Sequence, residues 1–221
     1  MRFVNRSDAG RQLAQSLTHL RGSEVVVLGL PRGGVPVAFE VAKALDAPLD
    51  VLIVRKIGLP SNPEVAMGAI GEGGFEVFDK SLIRTAHVSD LQISEVVRHE
   101  QDTLNQRLKQ LRPNGGGLDL TGRTAVIVDD GMATGASASV ACRVARHLGA
   151  AKVVLAIPVA PHQALASFRG ADEIVCLATP SPFWAVGQHY QDFSPTSDAE
   201  VVDLLERAEP LPERETEPSG F

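Results

Sequence analysis

The chain has 221 residues, of which 44% are hydrophobic and 22% are charged, and its formal net charge is −6 with a pI near 5.5. This composition is typical of a globular protein with a sizeable core, and it excludes disorder over most of the length. The acidic balance argues against nucleic acid as the main partner, because binding to a nucleic-acid backbone needs a basic surface.

No apolar run reaches the roughly 18 residues that a membrane-spanning helix requires, and the first residues lack the apolar stretch of a signal peptide. The two cysteines, Cys142 and Cys176, have no CxxC or other ligand-like spacing, so we expect buried thiols in a reducing compartment. These features predict a cytoplasmic protein without a membrane partner.

In chain order, an amphipathic stretch first predicts a helix over residues 7–20, with Ser7 or Asp8 as its N-cap. Five solid apolar runs predict strands buried on both faces, at residues 25–28, 51–54, 125–128, 153–157 and 174–177. Further helical stretches lie at residues 35–45, 136–148 and 161–169. Because a crossover between parallel strands needs about a dozen residues, the predicted fold class is α/β, an open, mostly parallel twisted sheet with helices on both faces.

Two segments interrupt this rhythm. Residues 57–66 are rich in glycine, proline and small residues, which predicts a mobile loop. Residues 65–111 predict an inserted unit, in which short strands at 65–70 and 75–78 form a hairpin and a long helix follows at 90–111.

The domain boundaries follow from composition. We expect a single domain over residues 1–208, whose last part, residues 180–208, forms a small hood at one end of the sheet. A glycine-rich surface connector is predicted at residues 113–117. Residues 209–221, with several Glu and Pro, predict a disordered tail.

The strongest functional signal is the stretch AVIVDDGMATGAS at residues 125–137, in which Asp129 and Asp130 end an apolar strand and a loop of small residues precedes a helix. In open α/β sheets, ligands bind beyond the carboxyl ends of the strands, where free amides at a helix N-terminus favour a phosphate. The paired carboxylates could accept hydrogen bonds from vicinal hydroxyls or hold hydrated Mg²⁺. The alternative is an ordinary Asp-Asp-Gly turn followed by a helix cap.

This stretch resembles the signature of the type I phosphoribosyltransferases, and the order of the other parts is similar to that family over nearly the whole chain. The resemblance implies binding of 5-phospho-α-D-ribosyl diphosphate (PRPP), with Asp129 and Asp130 as catalytic residues at the ribose hydroxyls. The residues implied for the 5-phosphate are Ala133, Thr134, Gly135, Ala136 and Ser137. It also implies a Mg²⁺ cofactor, held through water by Asp129, Asp130 and Asp192.

Two further loops resemble parts of the diphosphate site. The residues implied for the pyrophosphate are Pro31, Arg32, Gly33 and Gly34, for which the alternative is a tight turn with a solvated arginine. Arg55 and Lys56 resemble the catalytic basic dipeptide that stands beside the diphosphate, ahead of a loop that closes over the active site. Their alternative is a solvated surface pair.

Residues 182–193 are similar to the segment with which hypoxanthine-type members stack an aromatic ring on the base, and Trp184 aligns with that ring. Trp184 is therefore the candidate acceptor-binding residue, with a role in the core as its alternative. Asp192 in the same segment is either close to the metal or part of a capped turn.

Three departures leave the acceptor unspecified. Ala133 stands where hypoxanthine-type enzymes carry a carboxylate, and residues 157–160 lack the lysine that reads a 6-oxo group in those enzymes. Residues 58–66 contain no Lys or Arg, unlike the basic loop of orotate enzymes.

The implied function is Mg²⁺-dependent transfer of phosphoribose from PRPP to a nitrogen acceptor, a nucleobase or related small molecule, with release of pyrophosphate. A non-catalytic PRPP-binding regulator or sensor is the alternative, although the acidic chain shows no basic face or added helix-turn-helix. The sequence leaves open whether the chain is a monomer or a homodimer.

Overall fold

The computed structural model describes residues 2–22, 24–112, 117–208 and 210. The strands within them are β1 (Val25–Gly29), β2 (Leu49–Val51), β3 (Val54–Leu59), β4 (Asn62–Gly71), β5 (Phe75–Phe78), β6 (Thr124–Val128), β7 (Lys152–Val159) and β8 (Glu173–Ala178). The helices are α1 (Arg6–Ser16), α2 (Gly34–Leu45), α3 (Lys80–Thr85), α4 (Asp90–Leu111), α5 (Ala136–His147), α6 (His162–Ser167) and α7 (Asp198–Arg207).

Five strands form a wholly parallel sheet in the order β2-β1-β6-β7-β8. Successive side chains of a strand face opposite sides, so Val126 and Val128 of β6 pack with α1 and α2, whereas Ala125 and Ile127 pack with α5. Strand β1 is buried along its whole length, as expected for a sheet covered on both faces. The predicted α/β fold class is confirmed.

The inserted unit is a small antiparallel sheet in the order β3-β4-β5, packed against the long helix α4. The predicted hairpin is confirmed as β4 and β5, joined by a 3-10 turn at Glu72–Gly74, and the predicted long helix is confirmed as α4. Helix α4 begins at a capping box, in which Ser89 and Gln92 bind each other's backbone amides.

The prediction of one strand over residues 51–54 is wrong, because this run divides between the two sheets. Leu52 N still donates to the Gly29 carbonyl at 3.1 Å, but Ile53 N donates to Glu72 Oε1 at 3.0 Å instead of to a neighbouring strand. A buried side chain from 19 residues downstream therefore ends the parallel ladder, and the chain turns away at Val54 into β3.

The loop predicted over residues 57–66 is wrong in its secondary structure, because this segment forms the end of the β3–β4 hairpin. We call residues 58–66 the arm. A Cβ atom added at Gly58 would overlap the Pro63 carbonyl, so glycine at this position allows β3 and β4 to pair closely. The predicted N-cap of the first helix is also wrong, since Asn5 Oδ1 accepts from Asp8 N at 2.9 Å and the helix starts at Arg6.

A buried ion network fastens the inserted unit to the parallel sheet. Arg112, immediately after α4, donates from Nε to Asp50 Oδ1 and from Nη1 to Glu72 Oε2, both at 2.7 Å. Burial raises the pKa of Glu72, and the facing guanidinium opposes that rise. The network joins the end of α4, strand β2 and the turn after β4, so it holds the inserted unit against the parallel sheet.

Cys142 is buried and Cys176 half-buried, and both are free thiols. No helix among the described residues is both long and apolar enough to cross a membrane. Most of the predicted connector, residues 113–116, lies outside the described residues, as does the predicted tail apart from residue 210.

Candidate functional site

The acid pair, Asp129 and Asp130, follows the last residue of β6 at the carboxyl edge of the parallel sheet. The chain is fixed there, because Leu30 N donates to the Val128 carbonyl at 2.9 Å and Asp130 N donates to Asp129 Oδ1 at 2.9 Å. Both acids are only partly exposed. They therefore lie at the mouth of the sheet, in the position that the sequence motif predicts.

The acid pair carries more negative charge than its surroundings balance. Burial raises the pKa of Asp129 well above the usual range, and the neighbouring Asp130 carboxylate raises it further. Burial also raises the pKa of Asp130, although Arg6 opposes this by donating from Nε to Asp130 Oδ2 at 2.8 Å. One guanidinium thus faces two carboxylates, an arrangement that suits hydroxyl donors or a hydrated cation.

The predicted phosphate loop, residues 133–137, leads from the acid pair into the N-terminus of α5. Met132 N donates to the Val159 carbonyl at 2.9 Å, which ties the start of the loop to β7. Gly135 is the N-cap, with a φ of +80° that favours glycine, and an added Cβ would lie 3.1 Å from the Phe168 ring. The other four loop residues are exposed, so the helix N-terminus is open to an anion.

The predicted pyrophosphate loop, residues 31–34, contacts the acid pair through its glycines. Gly33 has an ordinary right-handed helical conformation, φ −62° and ψ −31°, yet an added Cβ would overlap Asp130 Oδ2. A Cβ at Gly34 would lie 2.6 Å from the Val128 carbonyl oxygen. Glycine at these two positions therefore allows the loop to approach the acid pair closely. Arg32, which precedes them, is exposed.

The basic dipeptide lies on the arm side of the structure. Arg55 and Lys56 are consecutive residues of β3 and so face opposite sides of the small sheet. Arg55 Nη2 lies 2.7 Å from Glu100 Oε2 of α4, and Lys56 Nζ lies 3.1 Å from Glu64 Oε2 across the arm. Neither is in contact with the acid pair in the described part of the chain.

Residues 183–193 of the hood sit over the acid pair. An added Cβ at Gly131 would lie 2.5 Å from Val186, and the Tyr190 hydroxyl donates to the Asp130 carbonyl at 2.6 Å. Trp184, two residues before Val186, is 77% exposed. Its alternative role in the core is therefore excluded, and its ring is free to meet a ligand.

Asp192 is exposed, and its Oδ1 accepts from Ser194 N at 2.9 Å and from Ser194 Oγ at 2.6 Å. These bonds hold its pKa below the usual range and form the capped turn that the sequence left open. No group of three or more His, Cys, Asp or Glu side chains suited to a metal occurs among the described residues. Magnesium that arrives on a diphosphate needs only one or two carboxylates, and the acid pair fits that requirement.

Sequence reasoning missed two residues of the site, Arg6 and Tyr190. They contact Asp130 from 124 and 60 residues away, and no local pattern marks either one. The only available signal for Tyr190 is that it is the single tyrosine of the chain.

We predict that Asp129→Asn stabilises the ligand-free protein. A carboxyl whose pKa is raised by folding binds its proton more tightly in the folded state, so its contribution to the free energy of unfolding falls as pH rises through the raised pKa. The amide keeps an acceptor oxygen for Asp130 N without the charge. Thermal unfolding between about pH 4 and about pH 8 should show an advantage of the variant that grows with pH.

Asp192→Asn is the matched control and should behave in the opposite way. Its folded pKa is lowered, so the carboxylate stabilises the protein above the unfolded pKa and this contribution disappears as pH falls. The control variant should melt below the parent at neutral pH. An Asp129→Asn variant that also melts below the parent throughout would contradict the burial assigned to that acid.

Comparison with known proteins agrees with this geometry. Residues 5–191 match the family described as the phosphoribosyl transferase domain. Two proteins of Mycobacterium tuberculosis, from strains CDC 1551 and H37Rv, bear the provisional name phosphoribosyl transferase. Each is 58% identical over 207 residues, which are 93% of this chain and 47% of the relative, so the chain spans about half the length of these proteins.

Among solved structures, the crystal structure of TT1426 from Thermus thermophilus is 42% identical, with a TM-score of 0.82. The match covers 95% of this chain and 100% of that one. The chain therefore belongs to the phosphoribosyl transferase domain family.

Proposed function

We propose that this protein is a Mg²⁺-dependent phosphoribosyltransferase, which transfers phosphoribose from PRPP to a nitrogen acceptor and releases pyrophosphate. The observation that carries the proposal is the close approach of Gly33 to Asp130. It brings the candidate pyrophosphate loop and the candidate ribose-binding acid pair together beside an open helix N-terminus, the three parts that a sugar with a phosphate and a diphosphate requires. We further propose that it acts in the cytoplasm, in keeping with its free thiols.

The donor would lie along the carboxyl edge of the sheet. Its 5-phosphate would bind the amides and hydroxyls of residues 133–137, and its ribose hydroxyls would donate to Asp129 and Asp130. As the bond from C1 to the diphosphate lengthens, positive charge grows on the sugar and negative charge grows on the leaving group. The acid pair is placed to stabilise the first charge, and Arg32 the second.

Magnesium would reach the site on the diphosphate, held through water by the acid pair, with Asp192 as a further acid near Arg6. When bound, it would neutralise charge on the leaving group. The protein's own contribution is the uncompensated charge of two carboxylates that face one guanidinium, which attracts a cation to this place.

The arm would act as a lid. Arg55 and Lys56 each have a carboxylate partner, Glu100 and Glu64, so we propose that they exchange these partners for diphosphate oxygens when the arm closes. The outer residues of the arm, at 60–66, are exposed and would form the cover. Closure would exclude water, which otherwise hydrolyses the activated sugar.

The acceptor would enter beneath the hood, against Trp184. Neither Ala133 nor residues 157–160 carry a polar side chain that could bind the acceptor. We therefore propose a flat nitrogen heterocycle, a nucleobase or related compound, that is held mainly by stacking. The usual recognition of a 6-oxopurine by lysine has no counterpart at these residues.

The alternative is a sensor that binds PRPP without turnover, in which Arg55 and Lys56 would keep their partners Glu100 and Glu64. The deciding experiment measures pyrophosphate release from PRPP and Mg²⁺ with a panel of purine and pyrimidine bases, with Asp129→Ala/Asp130→Ala as the blank. Release that depends on one base and disappears in the blank supports the transferase. Calorimetric binding of PRPP without release for any base would support the sensor, and no binding at all would refute both.

Gly33→Ala should weaken PRPP binding by on the order of 10- to 100-fold, because the new methyl group must displace the Asp130 carboxylate and a small misplacement of a ligand-binding group has effects of that size. Helical backbone at this position accepts alanine, so the fold should persist. Gly117→Ala is the control, since an added Cβ there meets nothing within 4 Å. If calorimetry gave equal PRPP affinities for both variants, Gly33 would not be part of the donor site.

Trp184→Ala should impair the acceptor while leaving the donor and the fold unaffected. Loss of stacking on a base is expected to weaken acceptor binding by about 1–3 kcal/mol, whereas removal of a side chain that is 77% exposed should change stability by at most about 0.5 kcal/mol. Steady-state kinetics should show a raised KM for the acceptor alone. A lowered melting temperature with equal losses for donor and acceptor would contradict this role.

A further inference from the structure

Arg6, the first residue of α1, joins parts of the site that are far apart in sequence. Its Nε donates to Asp130 Oδ2 and its Nη1 donates to the Ser194 carbonyl, both at 2.8 Å. Its guanidinium carbon lies 3.9 Å from the centre of the Phe193 ring. Because the planar group is held at two edges and one face, and the side chain is only 12% exposed, its orientation is determined.

These contacts restrict the Asp130 carboxylate. Its Oδ2 accepts the hydrogen bond from Arg6 and lies against Gly33. The backbone of Asp130 is held as well, by the Tyr190 hydroxyl on its carbonyl. The carboxylate can neither turn nor withdraw without breaking the bond to Arg6.

Arg6 is also the link between the two sides of the site. Asp130 belongs to the donor side, whereas Phe193 and Ser194 belong to the hood that covers the acceptor side. The β-bridge between Phe3 and Tyr190 continues this contact, because it pairs the residues just before α1 with the hood. Together with the Tyr190 hydroxyl on the Asp130 carbonyl, Arg6 thus holds the hood at a fixed distance from the acid pair.

We propose that Arg6 is a positioning residue for the phosphoribosyl donor, which orients Asp130 toward the ribose hydroxyls and holds the hood above them. This inference rests on the proposed function. Arg6 is bound to the carboxylate and would act through it, so we class it as a positioning residue and not as a catalytic one. If Arg6 only stabilised the fold, it would make the same contacts. Its loss would then weaken the binding of every ligand of the site by the same factor.

The test compares four proteins, the parent, Arg6→Met, Arg6→Lys and Arg11→Met. Arg11 is the control because it lies on the same helix and has its own carboxylate partner, Glu40, but its side chain is 57% exposed. Two probes are used. PRPP with Mg²⁺, followed by calorimetry, occupies the acid pair, whereas inorganic phosphate, followed by phosphorus NMR, needs only the loop at residues 133–137.

Arg6→Met should bind PRPP about 10- to 100-fold more weakly, as is usual when a residue that orients a ligand-binding group is removed. Arg6→Lys keeps the charge but not the planar fork, so its affinity should fall between the parent and Arg6→Met. Arg11→Met should stay within about twofold of the parent. Inorganic phosphate should bind all four proteins alike, and melting curves will show whether each variant is folded.

The inference is overturned if Arg6→Met binds PRPP within about twofold of the parent, or if it loses phosphate and PRPP affinity by the same factor. A parent protein that fails to bind PRPP overturns the proposed function, and the inference with it. A loss confined to the Arg6 variants, in a parent that binds, is the result that supports both.

Discussion

The contact between Gly33 and Asp130 is the constraint on which the rest of the site depends. Strand β1 is paired with β2 on one side and β6 on the other, so the chain leaves β1 in one direction and returns on the opposite side. Such a switch point opens a crevice at the carboxyl edge of the sheet, where ligands bind. Here glycine lets the loop after β1 and the acids after β6 meet across it. In the proposed function, this approach would bring the diphosphate and the ribose that carries it to neighbouring groups of the protein.

The position of the acid pair at this crevice makes its negative charge unfavourable in the free protein. Two adjacent carboxylates are partly removed from water, which raises the pKa of both, and a single arginine faces them. The free protein therefore contains an unfavourable charge arrangement at the carboxyl edge of the sheet. In the proposed function, a ligand that brings a cation and hydroxyl donors would relieve it, so part of the donor's binding free energy would come from charge repulsion already present in the fold.

The sequence predicts the features that depend on neighbouring residues and misses those that depend on residues far along the chain. The sequence predicts four of the five strands of the parallel sheet and the secondary structure of residues 125–137 correctly, because burial on both faces and a strand–loop–helix transition are local patterns. The division of residues 51–54 depends on Glu72, and the orientation of Asp130 depends on Arg6, 124 residues away. Neither partner can be found from the neighbouring residues. The segment around Gly58 is predicted as a loop because glycine is common both in loops and where two strands approach closely.

The two halves of the site are supported by different parts of the fold. The acid pair and both donor loops follow β1 and β6, which are inner strands of the sheet, while Arg55 and Lys56 lie in β3, which leads into the arm. Helix α4 carries Glu100, the partner of Arg55, and also Arg107, which lies 2.7 Å from Asp198 at the start of α7. Strand β3 and the hood are therefore connected through α4. A movement of the arm toward the diphosphate would act on the hood through the same helix, so closure over the donor and closure over the acceptor should occur together.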